Sequence, residues 1–272
     1  MSERLPVVFI GHGSPMYALD DNAYTRSLVR LGKDIGKPKA IVCVSAHWMT
    51  EGTWVTHMPK PKTIHDFYGF PQKLFDIHYP APGSPETAEL LRNAMGHNKV
   101  QLDEEMWGLD HGTWAVLRHM YPQADVPVVQ LSIHMEESGD YHLSLGRKIV
   151  PLRDRGILIV GSGNIVHNLP KIKWSAHPEP YAWNVEFDAF VKRKTEEGDA
   201  NGLAGDPRGM PGGELSVPTP DHWYPYLYAL GAAGEDAVAW EYEGLENGSI
   251  SMRCASFGLR PAASGHTLTE RK

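Results

Sequence analysis

Apolar runs and amphipathic segments follow one another along the whole chain. Strands are expected at residues 5–11, 40–47, 53–58, 99–102, 126–133 and 157–161, where Val, Ile and Leu crowd together between Gly, Pro and charged positions. Helical spacing appears between them. Asn22 opens a helix to about Leu31. Ser84 caps a helix over 85–95 with Pro85 at its first position. An amphipathic stretch covers 143–155 with an interruption near Pro151, and 181–197 puts Trp183, Phe187, Phe190 and Val191 on one face. Asp221 is expected to cap a last helix to about Leu230. Residues 237–242 and 250–257 are expected to close the sheet as an antiparallel pair across 244–248. The segment 59–83 is rich in Pro, Phe and Tyr and too long for a plain connector, so it is expected to cover a site. A Gly/Pro-rich loop is expected at 198–220 and a frayed tail from about residue 260. This alternation predicts a single α/β domain, with a central, mostly parallel (mixed) sheet and helices on both faces. The expected boundaries are 1–259 for the domain and 260–272 for the tail.

Composition narrows the functional classes. With 272 residues the chain can bury one large α/β core, or two small ones, and 42% hydrophobic and 22% charged residues are ordinary for a globular protein. A net charge of −7 argues against a nucleic-acid partner, which needs a basic face. No apolar run is long enough to span a membrane and no signal peptide is recognisable, so a cytoplasmic location is expected. The two cysteines, Cys43 and Cys254, sit in strand-like runs and read as reduced packing residues.

The chain has 14 histidines, and three of them end apolar runs: His12, His47 and His167. Parallel strands bring their carboxyl ends to one edge, where open α/β sheets place ligands. Gly11-His12-Gly13-Ser14-Pro15 leaves room around an imidazole, although a plain turn with an incidental histidine is the alternative. Ser45-Ala46-His47-Trp48 presents His47 past small residues, against the alternative of a half-buried strand-end histidine. His167 stands near Asn164 and Asn168, whose amides are candidates to orient it. Asp110-His111-Gly112 sets a carboxylate beside a histidine just before a helix, and Asp221-His222 does so at the start of another. Surface polarity is the competing explanation for both. His65, in the long loop, is a candidate pocket residue, and His78 and His134 are intermediate. His57, His97, His119, His142, His177 and His266 read as surface or packing residues. A site of neutral imidazoles favours Zn²⁺ or Fe²⁺. No HExxH pattern, P-loop or complete dinucleotide fingerprint occurs, and no acidic cluster marks a two-metal phosphatase.

Taken together with His65-Asp66-Phe67-Tyr68-Gly69-Phe70-Pro71, Tyr79-Pro80-Ala81-Pro82-Gly83, Gly163 to Asn168 and Thr219-Pro220-Asp221-His222, these motifs resemble the class III extradiol ring-cleavage dioxygenases. The likeness is to the 4,5-DOPA extradiol dioxygenase-like branch and runs from about residue 5 to 258. It implies a non-haem Fe(II) site that can carry Zn(II) in the isolated protein, with His12, His47 and His222 as ligands. Glu214 is the carboxylate rival to His222, but its flanking residues do not match. The resemblance makes His167 the acid–base residue, near enough to be a fourth ligand in a zinc form, and His111 a second pocket histidine. The implied partners are a small aromatic diol and O₂.

On that expectation a catechol binds through its adjacent oxygens, His167 accepts and later returns a proton, and His111 hydrogen-bonds the substrate or oxygen. Trp48, Phe67, Tyr68, Trp107 and Tyr224 are candidate walls for a flat ring. Two rivals remain at the level of sequence: a zinc hydrolase using the same histidines, and a non-catalytic metal-binding protein.

Overall fold

The apolar runs line up as neighbours in one sheet. The computed structural model describes residues 4–175 and 178–259. Its strands are β1 (Val7–Gly11), β2 (Ala40–Thr50), β3 (Thr53–Thr56), β4 (Val100–Asp103), β5 (Val128–His134), β6 (Ile157–Gly163), β7 (Val238–Tyr242), β8 (Leu245–Glu246), β9 (Ile250–Ser251) and β10 (Cys254–Phe257). Eight of them form a sheet in the order β4-β3-β5-β2-β6-β1-β10-β7. The four central strands β5, β2, β6 and β1 are mutually parallel, while β3 and β10 flank them antiparallel. The sheet is therefore mixed and largely parallel, as its residue pattern predicts.

Burial on both faces explains the continuous apolar runs. Val7, Phe9, Val42, Val44, Ile157 and Ile159 face one core, packed by the helices Pro85–Met95, Gly139–Lys148, Ala182–Glu196 and Tyr224–Ala233. Val8, Ile10, Ile41, Cys43, Leu158 and Val160 face the other, packed by the helices Ala23–Ile35 and His111–Met120 and by the long segment at 74–81. Alternate strand residues thus serve opposite cores. Cys43 and Cys254 are both buried and unpaired, as expected.

Helix starts follow their local chemistry. Asn22 and Thr25 form a reciprocal capping box, and the Ser84 side chain accepts the Thr87 N–H at 3.1 Å. Other boundaries differ from expectation. The helix expected at 143–155 begins at Gly139 and breaks after Lys148, and Val150–Arg153 forms a separate turn around Pro151. The segment 198–220 carries short helical turns at Ala200–Leu203, Pro207–Gly209 and Gly213–Ser216. Only part of the 250–257 run pairs with 237–242. β10 pairs with β7, whereas β9 makes a separate two-stranded ribbon with β8. Asp221 is not the cap of the last helix. Trp223 occupies that position, which leaves Asp221 and His222 in the preceding turn. The expected tail at 260–272, together with His177 and His266, lies outside the described residues. Among the described residues no helix is long and apolar enough to cross a membrane.

Candidate metal centre

Neighbouring strands deliver the first two histidines. β1 and β2 both pair with β6, so their carboxyl ends lie side by side. The pairing of β2 with β5 slips between Val44 and Met49, where residues 44 to 49 of β2 span only 131 to 133 of β5. The extra residues bulge out and carry His47 toward the site. Glycine is required beside it: a Cβ on Gly112 would stand 2.5 Å from Ser45 Oγ and 3.0 Å from His47 Cδ2. A Cβ on Gly163 would lie 2.3 Å from the His222 carbonyl oxygen, so this glycine lets the turn bearing His222 close onto the end of β6.

The nitrogens converge. His12 Nε2 and His47 Nε2 are 3.1 Å apart. On the far side of its ring, His12 Nδ1 contacts Ser162 Oγ at 2.9 Å, and the Ser162 hydroxyl donates to the Gly112 carbonyl at 2.5 Å. The serine proton is therefore committed, so His12 Nδ1 is the donor and His12 Nε2 carries a free lone pair. His222 Nδ1 donates to Asp221, which leaves His222 Nε2 buried and without a hydrogen-bond partner. One ligand atom from each of His12, His47 and His222 lies within 4.8 Å of the other two. A single shared proton can join two such nitrogens but not three. A divalent cation satisfies all three, and the donor set suits a borderline metal. Burial, then the neighbouring imidazoles, pushes the His12 and His47 pKa values well below the ordinary histidine value. Both are thereby neutral near pH 7, the form that ligates metals.

Two further histidines border the cluster. His167 stacks flat on His222 with centroids 3.5 Å apart and planes 8° from parallel, and its backbone N–H is tied to the Ser216 carbonyl at 2.9 Å. Burial and the adjacent His222 lower its pKa well below the usual value. His111, the first residue of its helix, lies with its ring centroid 3.9 Å from that of His47. The structure thus brings together all five histidines singled out from the sequence.

Several expected details are corrected. Asp110 does not orient His111. It accepts from Ser45 at 2.7 Å, is hydrogen-bonded by Gln130, and caps the helix through Thr113 N at 3.2 Å. Burial, helped by the charge of Asp66, raises its carboxyl pKa to about 6. The carboxylate that does meet His111 is Asp66, which the sequence marks only as part of a motif in the long segment. Burial alone would push Asp66 up, but the side-chain and backbone hydrogen bonds it accepts from His111 help bring it net below the ordinary value. Asn164 and Asn168 do not hold the His167 ring. Their side chains tie backbone, at Gly13 N (3.2 Å), Ser251 O (2.8 Å) and Leu215 O (2.8 Å). His65 bonds the Ile77 carbonyl at 3.0 Å among Phe67, Phe75 and Trp114, and so supports its own loop. Glu214 is exposed and belongs to none of the metal-holding groups among the described residues.

The proposed aromatic walls divide. Trp48 and Trp107 stack with planes 2° apart, and Asp103 fixes Trp107 by accepting its backbone N–H at 2.7 Å. Phe67 meets His111 edge-on at 5.6 Å. Tyr68, however, is 92% exposed, and Tyr224 packs against His142 in the helical core.

Fold and cluster together define a metal-dependent enzyme built at the carboxyl edge of an α/β sheet. The family described as the catalytic LigB subunit of aromatic ring-opening dioxygenase matches residues 6–258. The chain is 49% identical over 265 residues to the 4,5-DOPA dioxygenase extradiol of Escherichia coli (strain K12), covering 94% of this chain and 96% of that protein. It is 38% identical over 240 residues to the 4,5-DOPA dioxygenase extradiol of Beta vulgaris, covering 85% and 88%. A crystal structure of an uncharacterized protein from Escherichia coli K12 superposes with a TM-score of 0.82 at 44% identity, covering 94% of this chain and 100% of that one. The chain belongs to the LigB family of aromatic ring-opening dioxygenases. It is an extradiol ring-cleavage dioxygenase, an oxidoreductase with a metal centre and a catechol-like substrate.

Proposed function

We propose that His12, His47 and His222 hold an iron(II) ion, and that His167 and His111 serve a DOPA-like catechol whose ring is opened with O₂. The observation that carries this reading is the convergence of His12, His47 and His222 nitrogens, with His222 Nε2 buried and unpartnered. When bound, the iron supplies Lewis acidity toward the diol and an electron path to dioxygen. His167, neutral and beside His222, takes a proton from a diol hydroxyl and returns it after the ring opens. In a substrate-free zinc form the same residue would stand as a candidate fourth ligand. His111, on the other side of the cluster, hydrogen-bonds the substrate. Phe67 and the Trp48–Trp107 stack provide apolar surface for a flat ring. Residues 1–259 form the catalytic unit, and the two buried free cysteines fit a cytoplasmic location.

Anaerobic loading with Fe(II), followed by a catechol and air, is expected to yield a yellow ring-cleavage product. Turnover with Zn²⁺ alone, on an ester or amide, would overturn the reading in favour of a hydrolase. His167→Ala is expected to lower turnover by about 10²- to 10⁴-fold while the protein keeps its iron. Unchanged turnover removes the proton-transfer role from His167.

A further inference from the structure

Asp66 stands in the long segment 59–83, distant in sequence from the five clustered histidines, yet both of its oxygens engage one of them. Oδ1 accepts the His111 backbone N–H at 2.9 Å and Oδ2 meets His111 Nδ1 at 2.9 Å. The same Oδ2 lies 3.6 Å from His47 Nδ1. An ionised carboxylate only accepts, so Nδ1 of His111 carries a proton, and in the neutral imidazole Nε2 then presents a lone pair. The neighbouring Asp110 cannot substitute, because Ser45, Gln130 and the helix N-terminus occupy it.

We propose that Asp66 is a positioning residue: it fixes the Nδ1–H tautomer of His111, so that His111 meets the substrate as a hydrogen-bond acceptor. A diol hydroxyl is the matching donor: of the catechol's two hydroxyl protons, one goes to His167 and the other is offered to His111. The long segment 59–83 thereby takes a direct part in the site. It reaches in with the carboxylate that decides which way a pocket histidine faces, and it holds the start of the helix His111–Met120 with its other oxygen. The inference rests on the role proposed above for His111.

Asparagine is the discriminating substitution. Its single carbonyl oxygen can serve either the backbone N–H or Nδ1–H, not both. If it keeps the backbone, its NH₂ faces Nδ1 and drives the His111 proton to Nε2. Glutamate keeps two accepting oxygens on a longer stem. Zinc-loaded protein labelled with ¹⁵N-histidine reports the tautomer in long-range ¹H–¹⁵N spectra, with His111→Gln assigning the signals. Unsubstituted protein is expected to show protonated Nδ1 and bare Nε2 at His111. Asp66→Asn is expected to invert this, to lower kcat for ring cleavage by about tenfold to a hundredfold with KM little changed, and to bind zinc as before. Asp66→Glu is expected to restore the tautomer and much of kcat. An Nε2–H tautomer in unsubstituted protein overturns the proposal whether or not any variant folds. So does full kcat in an Asn variant whose His111 carries its proton on Nε2. If the tautomers behave as expected but the iron-loaded enzyme opens no catechol, the hold of Asp66 on His111 is supported and the assigned reaction is overturned.

Discussion

Among the described residues, buried histidines occur in two places, the cluster at the sheet edge and the lone His142, and the cluster is the one built to bind. At the carboxyl edge of the sheet, His12, His47 and His222 converge, with His167 and His111 beside them. Elsewhere His142 lies fully buried between Tyr224 and Tyr228, with its Nδ1 3.4 Å from the Tyr228 hydroxyl and its Nε2 without a partner. Both groups have pKa values pushed down chiefly by burial. Both contain an orphaned ring nitrogen. What differs is what each orphan faces. His222 Nε2 looks toward two other nitrogens, whereas His142 lies among aromatic rings and the backbone of His134 and Glu137. Desolvation and a lowered pKa therefore do not define a site in this molecule; convergence of lone pairs does.

The sharpest way to break the comparison is to remove a converging nitrogen. His12→Ala or His47→Ala is expected to weaken metal binding by more than about a hundredfold, beyond the usual cost of losing an outer partner, and to abolish ring cleavage. Metal titration of the purified variants measures this, and retained affinity would place the metal elsewhere. A smaller effect is expected from Ser162→Ala. It removes the acceptor that holds the His12 proton on Nδ1 and should weaken metal binding by about tenfold.

His142 offers the converse test. Its pKa is lowered to about 3, chiefly by burial and then by His134. Between about pH 6.5 and 3 the unfolded chain binds the proton that the folded chain refuses, so stability falls as pH falls through that window. His142→Phe is expected to leave metal affinity unchanged and to flatten this acid limb, by at most about 1.4 kcal/mol per pH unit. Urea unfolding at a series of pH values checks it. A loss of metal binding in this variant would erase the distinction between the two groups.

Legibility varied with the range of the interaction. The central strands were readable because burial on both faces demands unbroken apolar runs such as Val7–Ile10 and Ile157–Val160. Three of the site histidines are readable because they end apolar runs beside glycines or small residues, and His111 and His222 because each follows a carboxylate just before or at an expected helix start. Asp66 was not, because its partner His111 is 45 residues away and a nearer carboxylate, Asp110, competes for the same role on paper. Tyr224 misled for a related reason. It follows His222 closely in the chain, but the helix that begins there turns its ring into the core against His142.

By itself the sequence determined the α/β alternation, the histidines that follow apolar runs and the family pattern, since hydrophobic periodicity and local turn chemistry are written in consecutive residues, although β2 runs past His47 to Thr50 and β6 stops at Gly163, short of His167. Only the tertiary structure decided which carboxylate serves which imidazole and which buried histidine faces other lone pairs. Those choices depend on strand order, on the slip in β2 and on the path of the 59–83 segment. Contacts between residues far apart in the chain set them, and no local pattern records such contacts.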